Sequence, residues 1–435
     1  MTTPRNLGTV SLTTLLVSAH YGLGFILGTA EKSFTDGPIG SLYAVAVGVG
    51  MITLALVAQF YWTRIDPLWT LLGDRYGYPV KIGIGLMSWA SFIGIEAVQI
   101  ISAAAILEIV GFPTPLTMVS LAGVFCLFSL LPLERASGLF RGLLLFNILV
   151  LSSALWRLDQ GEAYGRAVLD FWPTVSQGVS PEIAGVALST VLLVLIDMKC
   201  QQFVVRSQSP PIAWWSCIFS GWIFIALAFL PTAIVSAAQQ GQILPAEVTG
   251  KTAIPYILSW LGGGIQTPWG LLFVASLALP ALGIGSNILR IQTKANLDIV
   301  NLNSTPGYRA GFAFLNATLA LAIALRGGEI VGLIVSFYAA YLSAVWIPFA
   351  AYLFEQAQLF VFSVTSVQVS LLIGGLAALI TLGMSLFQPE FIWFNSPELT
   401  ILGVGIGLSS LALFTTQAGE TLLLLLKRTQ EDIEA

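Results

Sequence analysis

The feature that most limits how this 435-residue chain folds is a succession of apolar runs, each about as long as a bilayer is thick, joined by short polar links. A helix needs about 20 mainly apolar residues to cross the hydrocarbon core. Once inside, every backbone amide and carbonyl must be satisfied within the segment or by protein. Charge confirms the environment. Only 9% of the residues are charged, against about 25% in a soluble domain, and 56% are hydrophobic, with a mean hydropathy of +0.87. So few charges cannot coat a water-facing surface. An outer-membrane barrel would show alternating stretches of about ten residues, and none appears. The pattern predicts an all-α polytopic membrane protein.

Hydropathy read against loop punctuation places about 12 transmembrane helices, near 8–30, 39–62, 80–110, 115–133, 139–157, 182–206, 212–238, 266–299, 309–325, 329–354, 367–387 and 400–426. FPTP (112–115) reads as a tight link and RSQSPP (206–211) as a proline-ended turn. DQGEAYGRAVLDFWPTVSQG (159–178) reads as long enough for an ordered external loop, and GEIVG after Arg326 as a loop start. The tail TQEDIEA reads as a short acidic end, no soluble domain is expected, and the first apolar run lacks the small-residue site of a cleaved signal peptide. With the N-terminus inside, Arg5, Arg64, Arg75, Lys81, Arg135, Arg141, Lys199, Arg206, Arg290, Lys294, Arg309, Lys427 and Arg428 fall on the cytoplasmic side. Lys32, Arg157, Arg166, Lys251 and Arg326 fall outside. The positive-inside rule then puts both termini in the cytoplasm, as an even number of spans requires, in a plasma membrane or bacterial-type inner membrane.

Several function classes drop out. The net charge of −4 includes no basic cluster for nucleic acid. Cys126, Cys200 and Cys217 lie in or beside apolar spans, where free cysteine acts as a small hydrophobe, so no disulfide framework is expected. One histidine cannot build a histidine-based metal or haem site, and neither metal nor cofactor is expected. GLGFILG and GVGIG lie inside apolar spans without strand–helix alternation, so they are not nucleotide-binding loops. No serine–histidine–acid set sits on an accessible loop, and the chain is not expected to be an enzyme.

Four stretches, in order, resemble the sodium/solute symporter family: SAHYGLG (18–24), DPLWTLLGDRYGYPVK (66–81), CQQFVVRSQSP (200–210) and LPALGIGSNIL (279–289). The resemblance implies the LeuT-type five-plus-five inverted-repeat fold. In that frame the chain is one transmembrane domain. Helices 1–5 (8–157) form the first repeat, helices 6–10 (182–354) the second, and two peripheral helices (367–426) follow. Helices 1 and 6 would be interrupted near the midplane, leaving half-helix ends and carbonyls to face a substrate. Gly22 and Gly24 suit such a break because glycine accepts unusual backbone angles.

The resemblance also assigns residues. The substrate positions it gives are Ser18, His20, Tyr21, Asp197 and Gln201, to which the polar stripe on the third helix adds Glu96 and Gln99. The region of the family's sodium site falls on Leu16, Val17, Leu282, Gly283 and Ser286. Leu282 and Gly283 replace two hydroxyl residues and Leu16 replaces a polar or acidic one. A hard cation needs several oxygen ligands, so this sodium site reads as degenerate. Helices 1 and 6 lie side by side in that fold, which favours a His20–Asp197 pair, and an imidazole titrating near neutrality suits proton coupling. Lys199 lies about 200° round a regular helix from Asp197. It is therefore expected to snorkel to the cytoplasmic surface unless the helix is unwound there. Ser88, Ser91, Gln99 and Ser102 form a polar stripe on one helix face, with Glu96 at its margin and a close helix contact as the plainer reading of the serines. Tyr338 and Tyr341 are read as an outer gate or as packing.

Together these readings point to a secondary active transporter of a small polar or anionic solute working by alternating access, coupled to protons in preference to sodium, or uncoupled. The alternative is a transporter-fold receptor or assembly subunit without transport activity. In that case Trp214, Trp215 and Trp222 would meet a partner protein or the lipid bilayer.

Overall fold

The computed structural model describes residues 5–64, 66–130, 133–158, 161–178, 180–388, 390 and 392–434. The side chains of Arg135, Arg141, Lys427 and Arg428, four of the positive charges counted above, lie outside that description, as do Asp159 and Gln160. The described residues are helical almost throughout. The segment expected as the first core helix is α1 (Thr9–His20) followed by α2 (Leu23–Asp36), and a 3-10 turn leads into α3 (Leu42–Thr63). A short α4 (Leu68–Tyr76) precedes α5 (Tyr78–Glu108), α6 (Thr114–Ser129) and α7 (Leu133–Arg157). After α8 (Gly161–Ser176) the segment expected as the sixth core helix is again split, into α9 (Pro181–Ile196) and α10 (Met198–Val204). The remainder is α11 (Pro210–Gln240), α12 (Gly250–Leu261), α13 (Pro268–Val300), α14 (Pro306–Arg326), α15 (Ile330–Gln356), α16 (Val364–Phe387) and α17 (Pro397–Glu434).

Among the described residues nine stretches are long and apolar enough to cross a membrane, with Thr9–His20, Thr114–Ser129 and Leu145–Arg157 as shorter apolar helices. Local chemistry sets many of the boundaries. α9, α11, α13, α14 and α17 each begin on a proline preceded by serine or threonine. Proline's missing amide costs nothing at the first helical position, and in all but α11 the preceding hydroxyl caps a free amide. Ser180 accepts from Ile183 N at 3.3 Å, Thr267 from Gly270 N at 3.0 Å, and Ser396 from Leu399 N at 3.2 Å.

Three helices depart from expectation. The stretch expected as a long external loop is mostly α8, whose Ala163, Ala167 and Phe171 are buried at four-residue spacing. That spacing is an amphipathic-helix signal masked by the segment's polar composition. α12 lies between the spans placed at 212–238 and 266–299, where no helix was assigned; Thr249 N donates to Thr252 Oγ1 at 3.1 Å as the helix starts. α17 continues through the short acidic end to Glu434, further than the span placed at 400–426.

The chain divides into two compact units, Met1–Ile65 with Phe92–Val335, and Asp66–Ser91 with Ser336–Ala435. In the first, α3 and α11 approach through Gly48 and Gly221. A Cβ on Gly48 would lie 2.9 Å from Gly221 O, and one on Gly221 would lie 2.6 Å from Gly48 O. Small residues permit such backbone approach between membrane helices. In the second, α16 and α17 are joined by Ser370 and Ser409, whose hydroxyls are 2.9 Å apart. There the Arg-Tyr-Gly of the 66–81 stretch is anchored as well. Arg75 Nε donates to Glu355 Oε1 at 2.6 Å and Tyr76 OH to Glu355 Oε2 at 3.2 Å, while Gly77 turns the chain at φ +95°, a conformation that favours glycine. Burial, ahead of the neighbouring carboxylate, moves the Tyr76 phenol upward.

Candidate functional site at the two helix breaks

The first break falls directly after the only histidine. α1 ends at His20, Tyr21 N still reaches Val17 O at 3.0 Å, and Gly22 N folds back onto His20 O at 2.9 Å. Gly22 itself is extended (φ −123°, ψ −172°), a conformation open to any residue. Its smallness therefore makes space and does not, as expected, serve backbone freedom: a Cβ there would lie 2.6 Å from Ile284 Cδ1 and that side-chain tip would have to move. The same holds for Gly24, where a Cβ would meet Ile334 Cδ1 at 2.5 Å.

The second break is at Asp197, extended at φ −69°, ψ 120° between α9 and α10. Its Oδ1 accepts from the backbone N of Lys199 at 2.8 Å and so caps α10. Its Oδ2 lies 3.0 Å from His20 Nε2 and 3.3 Å from Lys199 Nζ. An ionised carboxylate only accepts, so His20 Nε2 carries the proton of that bond. The side chains of His20, Asp197 and Lys199 are 3%, 4% and 9% exposed. Lys199 therefore does not snorkel: the interruption at Asp197 removes the regular helical angle that would separate the two, and the ammonium turns back to the carboxylate. Buried charges persist only when paired and hydrogen-bonded, and this trio meets that condition.

Cys200 Sγ stands 4.0 Å from the same imidazole nitrogen. His20, Asp197 and Cys200 offer ligand atoms within 4.8 Å of one another, the spacing of a metal-ligand set. The Lys199 ammonium beside Asp197 Oδ2 already neutralises the carboxylate and would repel a dication placed there.

The other sequence candidates spread around this centre. Tyr21 is buried, with its OH 3.4 Å from Asn147 Oδ1 on α7, and Asn147 in turn donates to Ser276 O on α13 at 3.1 Å. Ser18 donates to Leu15 O of its own helix at 2.9 Å. Gln201 is buried one turn into α10, and its backbone N donates to Asp197 O at 3.0 Å. Gln99 places its side-chain amide 3.7 to 3.8 Å from the Cβ position of Gly22. Glu96 is wholly buried and faces Gly285 of α13 instead of the His20–Asp197 pair. Leu16 and Val17 are buried, and the hydroxyl of Ser286 is spent on Gly283 O at 3.2 Å. Ser88, Ser91, Ser102, Tyr338 and Tyr341 are all buried, whereas Trp214, Trp215 and Trp222 are exposed.

Sequence reasoning missed a charged cluster at the far end of α2. Lys32 Nζ lies 2.9 Å from Glu182 of α9, 2.9 Å from Glu329, which immediately precedes α15, and 3.6 Å from Asp36. Next to it, Glu31 Oε2 accepts from Ile330 N at 2.9 Å and Oε1 lies 3.6 Å from Lys251. The supposed loop start at GEIVG thus holds one of the cluster's acids. The available signal was that an apolar segment keeps an adjacent acid–base pair, Glu31-Lys32.

The fold has counterparts among solved structures. The fold is similar to that of a Na+-coupled sialic acid symporter in a substrate-bound outward-open state, at 13% identity and TM-score 0.63, over 94% of this chain and 90% of that one. It is similar to a nucleobase-cation-symport-1 family transporter in a closed conformation with bromovinylhydantoin bound, at 13% identity and TM-score 0.55, over 94% of both chains. A manganese transporter of Eremococcus coleocola also superposes, at 14% identity and TM-score 0.51, over 94% of both. No family model and no curated protein matches the sequence. At these identities the likeness is one of fold. The chain is an integral, helical membrane protein with a LeuT-type fold.

Proposed function

We propose that this chain is a secondary transporter that moves a small polar or anionic solute by alternating access, with its site at the breaks of the first and sixth core helices. The observation that carries this reading is the buried His20–Asp197–Lys199 trio, which joins the two interruptions within the unit that contains them. Ionisable residues at membrane depth are costly and ordinarily mark a substrate or ion path. Lys199 gives a solute carboxylate a partner once Asp197 is displaced, and Ser18, Tyr21, Gln99 and Gln201 supply hydrogen bonds to polar groups.

The coupling ion in this reading is a proton. Leu282 and Gly283 offer no side-chain oxygen, and the Ser286 hydroxyl is turned to its own helix. The chain would lie in a plasma or bacterial-type inner membrane with both termini cytoplasmic, as the thirteen-to-five distribution of basic residues suggests.

Proteoliposomes given a panel of small zwitterions, monocarboxylates and polyols, driven separately by a sodium gradient and a pH gradient, test the proposal. Uptake driven by the pH gradient and abolished in Asp197→Ala is the expected outcome. Uptake driven by sodium alone would overturn the proton assignment. Saturable binding without flux would replace the transporter with a transporter-fold receptor or assembly subunit.

A further inference from the structure

Glu96 has no part in the trio at the breaks. It lies on α5, wholly buried, and neither carboxylate oxygen has a hydrogen-bond partner among the described residues. Its Oε1 would lie 3.1 Å from a Cβ on Gly285 of α13, and the ring of Phe125 on α6 closes the same spot at 2.7 Å. One turn further along α5, Gln99 touches the α1–α2 break at Gly22. The carboxyl therefore faces the segment expected as the eighth core helix, one turn along α5 from the side chain that lies beside the interruption of the first, and Ile284, the neighbour of Gly285, packs against that interruption at Gly22. The family resemblance sets a sodium ion between those same two helices, yet Leu282 and Gly283 supply no side-chain ligands here.

The surrounding charges do not neutralise it. α6 carries no charged residue and a single titratable one, Cys126. On α13, Arg290 sends its guanidinium to Ser129 O at 3.2 Å and Phe128 O at 3.3 Å, and Lys294 and Asp298 lie beyond it towards the helix end. α5 itself has only Lys81 and Glu108 near its two ends. Across the break, His20 and Lys199 are engaged by Asp197. An ionised carboxylate at such a place costs several kcal/mol without a compensating charge. The neutral acid does not.

We propose that Glu96 is the protein's proton-binding site, deepening the transporter reading and resting on it for the coupling role. In the conformation described here the carboxyl holds a proton taken from water. When α13 and the α1–α2 break move apart in the cycle, water reaches the carboxyl and the proton returns to it. The proton then does between the first and eighth core helices what a sodium ion does in a sodium symporter, and Gly285 leaves the room this needs.

The test uses the full chain in lipid nanodiscs and requires no solute. Infrared difference spectra are recorded as the buffer is stepped from acid to alkaline. A carboxylic-acid C=O band that titrates, is lost in Glu96→Gln and returns with a displaced midpoint in Glu96→Asp is expected. The same band in wild type and Glu96→Gln, or no titrating carboxyl band in wild type, overturns the proposal. Hydrogen exchange of α2 and α13, corrected for the intrinsic pH dependence of exchange, gives a second readout. Its response to pH should be lost in Glu96→Gln, and persistence of the response overturns the coupling role. Because neither measurement needs transport, a failure of Glu96 is distinguishable from a failure of solute flux in proteoliposomes.

Discussion

Asp197 does two jobs with one carboxylate. Oδ1 caps α10 through Lys199 N, and Oδ2 holds both His20 and the Lys199 ammonium. Removing one partner of a buried ion pair costs about 3–5 kcal/mol, and losing a helix cap about 1 kcal/mol. Asp197→Ala should therefore lower the thermal unfolding midpoint in detergent far more than His20→Ala, which leaves Lys199 and Asp197 paired. Equal midpoints for the two variants would show that the carboxylate does not hold α10. At this scale the sequence made the identities of His20 and Asp197 conspicuous, because charge in an apolar run stands out. The partnership of Lys199 was hidden, since it depends on where the helix is interrupted and no regular period encodes that.

At the scale of elements, the break between α1 and α2 is kept open by side-chain volume. Gly22 is extended and unstrained, so its replacement acts through Ile284. Overpacking of this sort costs about 1–3 kcal/mol. Gly22→Ala is expected to destabilise the protein by that order in thermal melts, and Ile284→Val, which removes the offending Cδ1, should recover much of it in the double variant. Additive effects of the two changes would contradict this contact. The serine- and threonine-proline starts of α9, α11, α13, α14 and α17 were legible in the sequence as local chemistry. α8 and α12 were not: α8 is polar enough to pass for a loop, and α12, though apolar, has only 12 residues and is too short to read as a span.

Across the whole molecule, the unit formed by Met1–Ile65 and Phe92–Val335 ties its two interrupted helices together at both ends. At one end Leu7 N donates to Arg206 O at 3.0 Å, Gln208 N donates to Leu7 O at 3.1 Å, and Trp62 Nε1 reaches Ser207 O at 3.0 Å. At the other, Lys32 gathers Asp36, Glu182 and Glu329. Lone exposed salt bridges contribute little, but here one ammonium, 19% exposed, separates three carboxylates that repel without it. Lys32→Met should speed hydrogen exchange at the end of α2 and the starts of α9 and α15. High salt should shrink the difference by screening the repulsion. Unchanged exchange at low salt would mean that the cluster does not restrain these ends.

The sequence by itself determined that the chain is helical and membrane-embedded, where most helices lie, and which polar residues are out of place in them. These follow from local quantities: apolar run length, scarcity of charge and the chemistry of helix starts. Only the tertiary structure decided that the break at His20 meets the break at Asp197, that Lys199 turns inward, that Glu96 faces Gly285, and that Lys32 collects acids from segments 150 and 297 residues away (182 − 32 and 329 − 32). Each of these depends on which helices become neighbours and how they are rotated, and helical periodicity within one segment contains neither.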